Sequence, residues 1–92
     1  MAQAIVTLKI MPTSPDIDLD EVEANVKKVI IKHVGEGEMR SSQEPLAFGL
    51  KSLNIIFVMD EQDNKLDPIE EEAAQVEGVN SVEVTDVRRA IG

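Results

Sequence analysis

The chain has 92 residues, of which 42% are hydrophobic, and it contains no cysteine. A chain of this length predicts one small domain, here residues 1–92, with little room for a deep active site. The lack of cysteine excludes disulfides and thiolate metal sites. Eighteen acidic against nine basic residues give a formal net charge of -9, which argues against direct nucleic-acid binding. Because no apolar stretch could cross a bilayer and no signal peptide is recognisable, we expect a cytoplasmic protein that binds no membrane.

Alternation of apolar and polar residues over residues 3 to 11 predicts a first strand. Its inward face would carry Ala4, Val6, Leu8 and Ile10. Asp18, with Glu21 three positions later, predicts a helix N-cap, and apolar residues at spacings of three and four continue the helix to near Gly35. Residues 39 to 44 are polar and predict a strand at a sheet edge.

Residues 50 to 59 form the most apolar segment, which predicts a central strand with Phe57 in the core. Asp67, followed by a proline, predicts the N-cap of a second helix. We assign the inner stripe of that helix to Ile69, Ala73 and Val76. A glycine then separates it from a last strand, which we expect to end near Thr85 or Asp86.

The order strand, helix, strand, strand, helix, strand predicts the α+β ferredoxin-like βαββαβ fold, a four-stranded antiparallel sheet with two helices on one face. The opposite face would be moderately apolar and could serve an interface. Its residues would be Ile5, Thr7, Met11, Ile56 and Val58. The fold also hosts RNA-recognition modules, metal chaperones and acylphosphatases, but the sequence lacks the first-strand aromatic residues, the cysteine pair and the arginine that these activities need.

Individual polar residues give no catalytic or metal-binding set. His33 is the only histidine and stands near a helix C-terminus, where packing and the helix dipole explain it. The consecutive residues Glu70 to Glu72 point to different sides of a helix and are expected to be solvated. Asp16, Asp18 and Asp20 lack the glycine and distant glutamate of a calcium loop. The residues therefore favour an interaction protein, with no cofactor, no metal and no catalytic residue.

Phe48 is the residue that most needs a function, since it is one of only two aromatic residues. It lies between Pro45 and Gly49, which typically mark an exposed turn, and the apolar strand begins only afterwards. A large ring on a turn favours an anchor for a partner, with Gly49 shaping the turn and Lys51 as a charge at the rim. The competing interpretation is a ring folded over the edge of the core.

Arg88 and Arg89 are an adjacent basic pair near the C-terminus of an acidic chain. Together with Ile91 and Gly92 they form a second candidate segment, which could probe a phosphate or carboxylate site on a partner. Adjacent strand residues point to opposite sides, so the two arginines would differ. The competing interpretations are a frayed tail and an arginine that pairs with Asp86 or Glu83 to fix the tail.

Three segments, residues 5–12, 44–51 and 82–89, resemble the archaeal translation elongation factor 1-beta family in order and spacing, and more distantly the C-terminal domain of the eukaryotic beta subunit. The resemblance implies guanine nucleotide exchange on the GTPase elongation factor 1-alpha with bound GDP. In the eukaryotic relatives it assigns the probe to a lysine one residue from the C-terminus. In this chain Gly92 takes that place, so either an arginine substitutes or the factor mainly pushes on switch segments of the partner.

Two alternatives from other classes stay open at the level of the sequence. The same fold could form a small-molecule-sensing or oligomer-forming regulatory domain. It could also form a scaffold subunit, which would bind the GTPase without accelerating nucleotide release. A nucleotide-release measurement distinguishes these alternatives from an exchange factor.

Overall fold

The computed structural model describes residues 3–60 and 66–90. Its elements are β1 (Gln3–Pro12), α1 (Leu19–Val34), β2 (Met39–Pro45), β3 (Lys51–Asp60), α2 (Leu66–Ala74) and β4 (Val79–Ala90). A short 3-10 turn, Ala47–Gly49, joins β2 to β3. The sheet has the order β2-β3-β1-β4, and every neighbouring pair is antiparallel. The ferredoxin-like fold is therefore confirmed.

The core lies between the helices and one face of the sheet, as the alternation predicts. On the strands the buried hydrophobic residues are Ala4, Val6, Leu8, Ile10, Leu53, Ile55, Phe57, Met59 and Val79. The helices contribute Leu19, Val22, Val26, Ile30, Ile69 and Ala73. Full burial of each large aliphatic or aromatic side chain stabilises the fold by about 1.5 to 3 kcal/mol before the cost in chain entropy. The assignment of Phe57 to the core is confirmed, with 1% of the residue exposed.

The ends of α1 follow the predicted signals, whereas α2 is shifted. Asp18 caps α1, because its Oδ1 accepts a hydrogen bond of 3.0 Å from the backbone N–H of Asp20. α2 begins at Leu66, so Asp67 is not its N-cap but lies inside the first turn, where a carboxylate faces the positive end of the helix dipole. Val76 lies beyond α2, in a tight turn, and still packs against the core.

The last strand extends further than expected. Thr7 pairs with Asp86 and Leu8 pairs with Val84, so Thr85 is an extra residue that forms a β-bulge. Beyond the bulge, β4 continues to Ala90 and pairs with the first half of β1. The predicted end near Thr85 or Asp86 is wrong because the bulge shifts the alternation by one residue, which hides the continuing strand from a period-two reading.

The helix-free face of the sheet is called the open sheet face below. The register places Ile5 opposite Val58 and Thr7 opposite Ile56 at its centre. Ile56 is 40% exposed, and the other three residues are half-buried. Arg40 of β2 pairs with Ile56. The moderately apolar character expected for this face is therefore present in the structure.

One cluster of charged side chains joins the two helices. Glu72 of α2 accepts from Lys32 Nζ at 2.9 Å and lies 2.9 Å from His33 Nε2, both on α1. The hydrogen bond from Lys32, and after it the one with His33, lower the pKa of Glu72. Glu72 remains partly exposed, as expected for these three consecutive glutamates, and it also pairs with α1 because the helix packing brings it within reach of Lys32 and His33.

Candidate partner-binding site

The β2–β3 hairpin ends in a tight loop. Pro45 and Lys51 form the last cross-strand pair. The backbone N–H of Leu46 then donates to the carbonyl oxygen of Leu50 at 2.7 Å, and the N–H of Leu50 donates to Ala47 at 3.3 Å. These two bonds close the loop and leave residues 47–49 at its tip.

Phe48 stands at this tip with 94% of the residue exposed. Its backbone has φ 63° and ψ 29°, the left-handed conformation, which costs a residue with a side chain about 1 to 3 kcal/mol. The ring therefore loses the stabilisation of burial and is also held by strained backbone. The alternative of a ring folded over the core is wrong, because the left-handed backbone turns Phe48 outwards. Exposed rings and stored strain are both typical of binding sites.

Gly49 and Lys51 lie beside the ring and line a cavity of about 200 Å³. Gly49 has φ 75°, a conformation that favours glycine. The cavity is open to solvent, and its other side is lined by residues from the stretch 12–20, between β1 and the start of α1. Gln43 of β2 donates from Nε2 to Asp20 Oδ1 of α1 at 3.2 Å, which joins the hairpin to the helix. The hairpin loop, the cavity and the start of α1 together are called the hairpin end.

Arg88 and Arg89 lie on the last residues of β4, beyond the bulge. Arg88 pairs with Ile5 and so projects from the open sheet face, whereas Arg89 pairs with Ala4 and projects from the side of the helices. Arg88 Nε donates to Asp86 Oδ2 at 2.7 Å, with 78% of the arginine side chain exposed. A pair this exposed contributes little to stability. Residues 88–90 and the start of β1 are called the tail end.

The candidate residues do not form one cluster. Phe48 lies next to the first residue of β3, Lys51, whereas Arg88 and Arg89 lie beside the strand ends that include Asp60. Ten residues of strand span about 30 Å, and the longest dimension of the molecule is 43 Å. Arg88 and Arg89 belong to a paired strand and not to a frayed tail. Ile91 and Gly92 lie outside the described residues.

Comparison with known families identifies the chain. The family model described as the EF-1 guanine nucleotide exchange domain matches residues 5–90. The chain belongs to this family. It is 40% identical to elongation factor 1-beta of Methanothermobacter thermautotrophicus over 91 residues, covering 97% of this chain and 98% of that protein. It is also 40% identical to elongation factor 1-beta of Thermococcus gammatolerans over 86 residues, covering 92% of each protein.

A third relative, elongation factor 1-beta of Methanobrevibacter smithii, is 40% identical over 90 residues, covering 97% of this chain and 98% of that protein. These matches cover nearly the whole chain, so the family function applies to it: the protein is a guanine nucleotide exchange factor of translation elongation. The regulatory-domain and scaffold alternatives are not needed to explain any residue described above.

Two solved structures share the fold at low sequence identity. LarC2, the C-terminal domain of a cyclometallase involved in the synthesis of the NPN cofactor of lactate racemase, superimposes in its apo form with a TM-score of 0.66 at 8% identity. The superposition covers 99% of this chain and 58% of the LarC2 chain. The BlrP1 BLUF structure gives a TM-score of 0.56 at 14% identity and covers 100% of this chain, which matches 57% of it. These likenesses concern the fold alone.

The described residues offer neither a metal-binding cluster nor a membrane-spanning helix. Residues 3–60 and 66–90 contain no group of three or more histidine, aspartate and glutamate side chains that could hold a metal ion. In the same ranges no helix has the length and apolar character needed to span a membrane. The cavity at the hairpin end was not predicted from the sequence, because its walls come from segments that are distant in sequence.

Proposed function

We propose that this exchange factor binds elongation factor 1-alpha at two places at once, with Phe48 at one and the tail end at the other. The observation that carries the proposal is the position of the two candidate segments at opposite ends of one sheet, about 30 Å apart. A single small contact cannot include both. We place the interaction in the cytoplasm, with no direct contact to nucleic acid.

Exchange then follows from linkage between protein binding and nucleotide binding. A GTPase that holds GDP through backbone amides, a lysine and magnesium releases it when another protein binds the empty conformation more tightly than the loaded one. The exchange factor makes and breaks no covalent bond in this scheme. It needs no cofactor or nucleophile of its own, only a difference in affinity for the two states.

Phe48 is proposed as the anchor of this complex. A rigid aromatic side chain that enters a partner pocket supplies apolar contact area at a small cost in side-chain entropy. Gly49 holds the turn that presents the ring. Lys51 lies at the rim, where a charge tunes the association rate more than the affinity.

The tail end is proposed as the probe near the nucleotide. The guanidinium groups of Arg88 and Arg89 can pair with phosphates or with carboxylates that hold magnesium, and either contact disturbs the loaded site. Ile91 and Gly92, which follow in the sequence, are proposed to take part in the same contact. An arginine on a paired strand is held more firmly than one on a frayed tail, which suits this role.

Release of fluorescently labelled GDP from the partner GTPase tests the two-place scheme. We expect Phe48→Ala to raise the factor concentration needed for half-maximal release, since it removes the anchor. We expect the double change Arg88→Ala, Arg89→Ala to lower the maximal release rate while binding persists. A chain that ends at Ala90 tests Ile91 and Gly92 without shortening the described strand. If GDP release is unchanged in both the phenylalanine variant and the double arginine variant, the two-place scheme is wrong. If the unmodified protein does not accelerate GDP release, the exchange function itself is wrong.

A further inference from the structure

A partner that contacts both the hairpin end and the tail end also covers one long side of the molecule between them. The choices are the open sheet face, the outer side of the helices, and the two sheet edges formed by β2 and β4. The distribution of charge and of exposed apolar surface separates these sides.

The open sheet face is nearly neutral in a strongly acidic protein. By register it carries three bases, Lys9, Arg40 and Arg88, and four acids. The four acids are Glu44, Asp60, Glu83 and Asp86. Elsewhere in the described part of the chain there are five bases and twelve acids. Burial of the helical side against a partner would remove many uncompensated carboxylates from water, whereas burial of the open sheet face would not.

The centre of the open sheet face is apolar and continuous with the tail end. Ile56 exposes 40% of its surface, and it pairs with Thr7 on one side and Arg40 on the other. Ile5 pairs with both Val58 and Arg88, so the proposed probe directly adjoins the apolar centre. A partner that reaches Arg88 from this face therefore lies beside Ile5 and Val58, the neighbours of Ile56 at the apolar centre.

The half of the face nearer the hairpin end contains polar groups without partners. Within the described residues, Ser52 Oγ and Asn54 Nδ2 are covered and have no hydrogen-bond partner. Ser52 is completely buried. An unpaired covered donor costs about 1 to 3 kcal/mol. Asn54 pairs in register with Lys9, so two donors lie side by side on adjacent strands.

We propose that the open sheet face is a third contact with the same GTPase, and that it fits an apolar surface bordered by a carboxylate or backbone carbonyl that faces Lys9. This inference rests on the proposed function. It makes the complex a continuous interface from Phe48 to Arg88. Such an interface would fall in the standard range of roughly 1,200 to 2,000 Å².

Ile56→Arg tests the contact, because it places bulk and charge at the apolar centre without touching the hydrophobic core. Ala24→Arg is the matched control, since Ala24 is exposed on α1 and the change adds the same group to the helical side. Circular dichroism and thermal melting establish that each variant is folded, and Ile56→Thr supplies a β-branched variant if Ile56→Arg is unstable. Affinity for the partner GTPase and release of labelled GDP are then measured, and sedimentation gives the oligomeric state.

We expect Ile56→Arg to weaken binding to the GTPase at least tenfold, and Ala24→Arg to change it less than twofold. If Ile56→Arg does not fold, a threefold or larger loss of affinity for folded Ile56→Thr supports the contact. Native affinity for a folded Ile56 variant, with Phe48→Ala still defective, overturns the third contact and leaves the two-place scheme intact. A free protein that is dimeric, and that Ile56→Arg converts to a monomer, overturns the assignment to the GTPase and identifies a second copy as the occupant. Failure of the unmodified protein to accelerate release counts against the proposed function instead.

Discussion

The hairpin end and the tail end of this protein expose opposite kinds of chemistry. The hairpin end presents an aromatic ring on strained backbone, with 94% of Phe48 exposed. The tail end presents two arginines on a hydrogen-bonded strand, one of them already paired with an aspartate. Apolar contacts mainly supply affinity, whereas charges near a nucleotide site act on a particular state of the partner. We therefore expect the hairpin end to act mainly in binding the GTPase and the tail end mainly in nucleotide release.

Exchange of each aromatic residue for alanine gives the largest expected effects. Phe48→Ala should weaken binding to the GTPase by about 2 kcal/mol or more, because the ring is the proposed anchor, and should leave the melting temperature nearly unchanged. Phe57→Ala is the control: it removes a buried ring and should cost about 3 to 5 kcal/mol of folding stability. Calorimetric binding and thermal unfolding measure the two quantities. Unfolding of Phe48→Ala would contradict the division between anchor and core.

At the tail end we expect Arg88→Ala to reduce the GDP release rate about tenfold, the effect of losing about 1.5 kcal/mol from a charged hydrogen bond. Arg89→Ala should reduce it less, because Arg89 projects from the side of the helices. Asp86→Asn is the control, since it frees Arg88 from its ion pair and should not slow release. Equal loss in both arginine variants would show that the orientation on the strand does not matter.

The next smaller effect on binding is expected for Gly49→Ala, with Gly35→Ala as its control. Both glycines have positive φ, and a Cβ at either would meet no atom within 4 Å. Each change should therefore cost about 1 to 3 kcal/mol of stability through backbone strain alone, with the larger cost at Gly35, whose φ of 82° and ψ of 174° lie in a region almost restricted to glycine. Only Gly49→Ala should also weaken binding, because it reshapes the turn that carries Phe48. Binding losses of similar size in the two variants would contradict the hypothesis that the turn at Gly49 positions Phe48 for binding.

Glu72 lies at neither end and gives the smallest effect. Its pKa is lowered by Lys32 first and by His33 second, so its contribution to stability is present above its unfolded pKa and is lost as pH falls through the lower folded value. The stability difference between the unmodified protein and Glu72→Gln should therefore be present at pH 7 and shrink below about pH 4.5. Urea unfolding across this range measures it. A difference that grows on acidification would contradict the ion pair.

The sequence predicted the core because hydrophobic alternation is a direct consequence of strand geometry. Val6, Leu8 and Ile10 follow that rule, and all three are fully buried. The exposed position of Phe48 was also predictable, because it lies between a proline and a glycine, residues that favour turns. In both cases neighbouring residues carry the signal.

The end of β4 could not be predicted because Thr85 is an extra residue opposite β1. Beyond it Val87 pairs with Val6, and 51% of Val87 is nevertheless exposed. The separation between Phe48 and Arg88 likewise depends on the register of strands that are far apart in sequence. Pairing over such distances is decided by the whole sheet and not by local composition.

The stiffness of the sheet has one more consequence. A hydrogen-bonded sheet of four strands keeps its length, so the span from Lys51 to Asp60 acts as a ruler: it fixes the distance between the hairpin end and the tail end at about 30 Å. A partner whose two receiving surfaces change their spacing when nucleotide leaves will match this ruler in one state and mismatch it in the other. The protein would then select the empty GTPase by length, in addition to the chemistry at either end of the ruler.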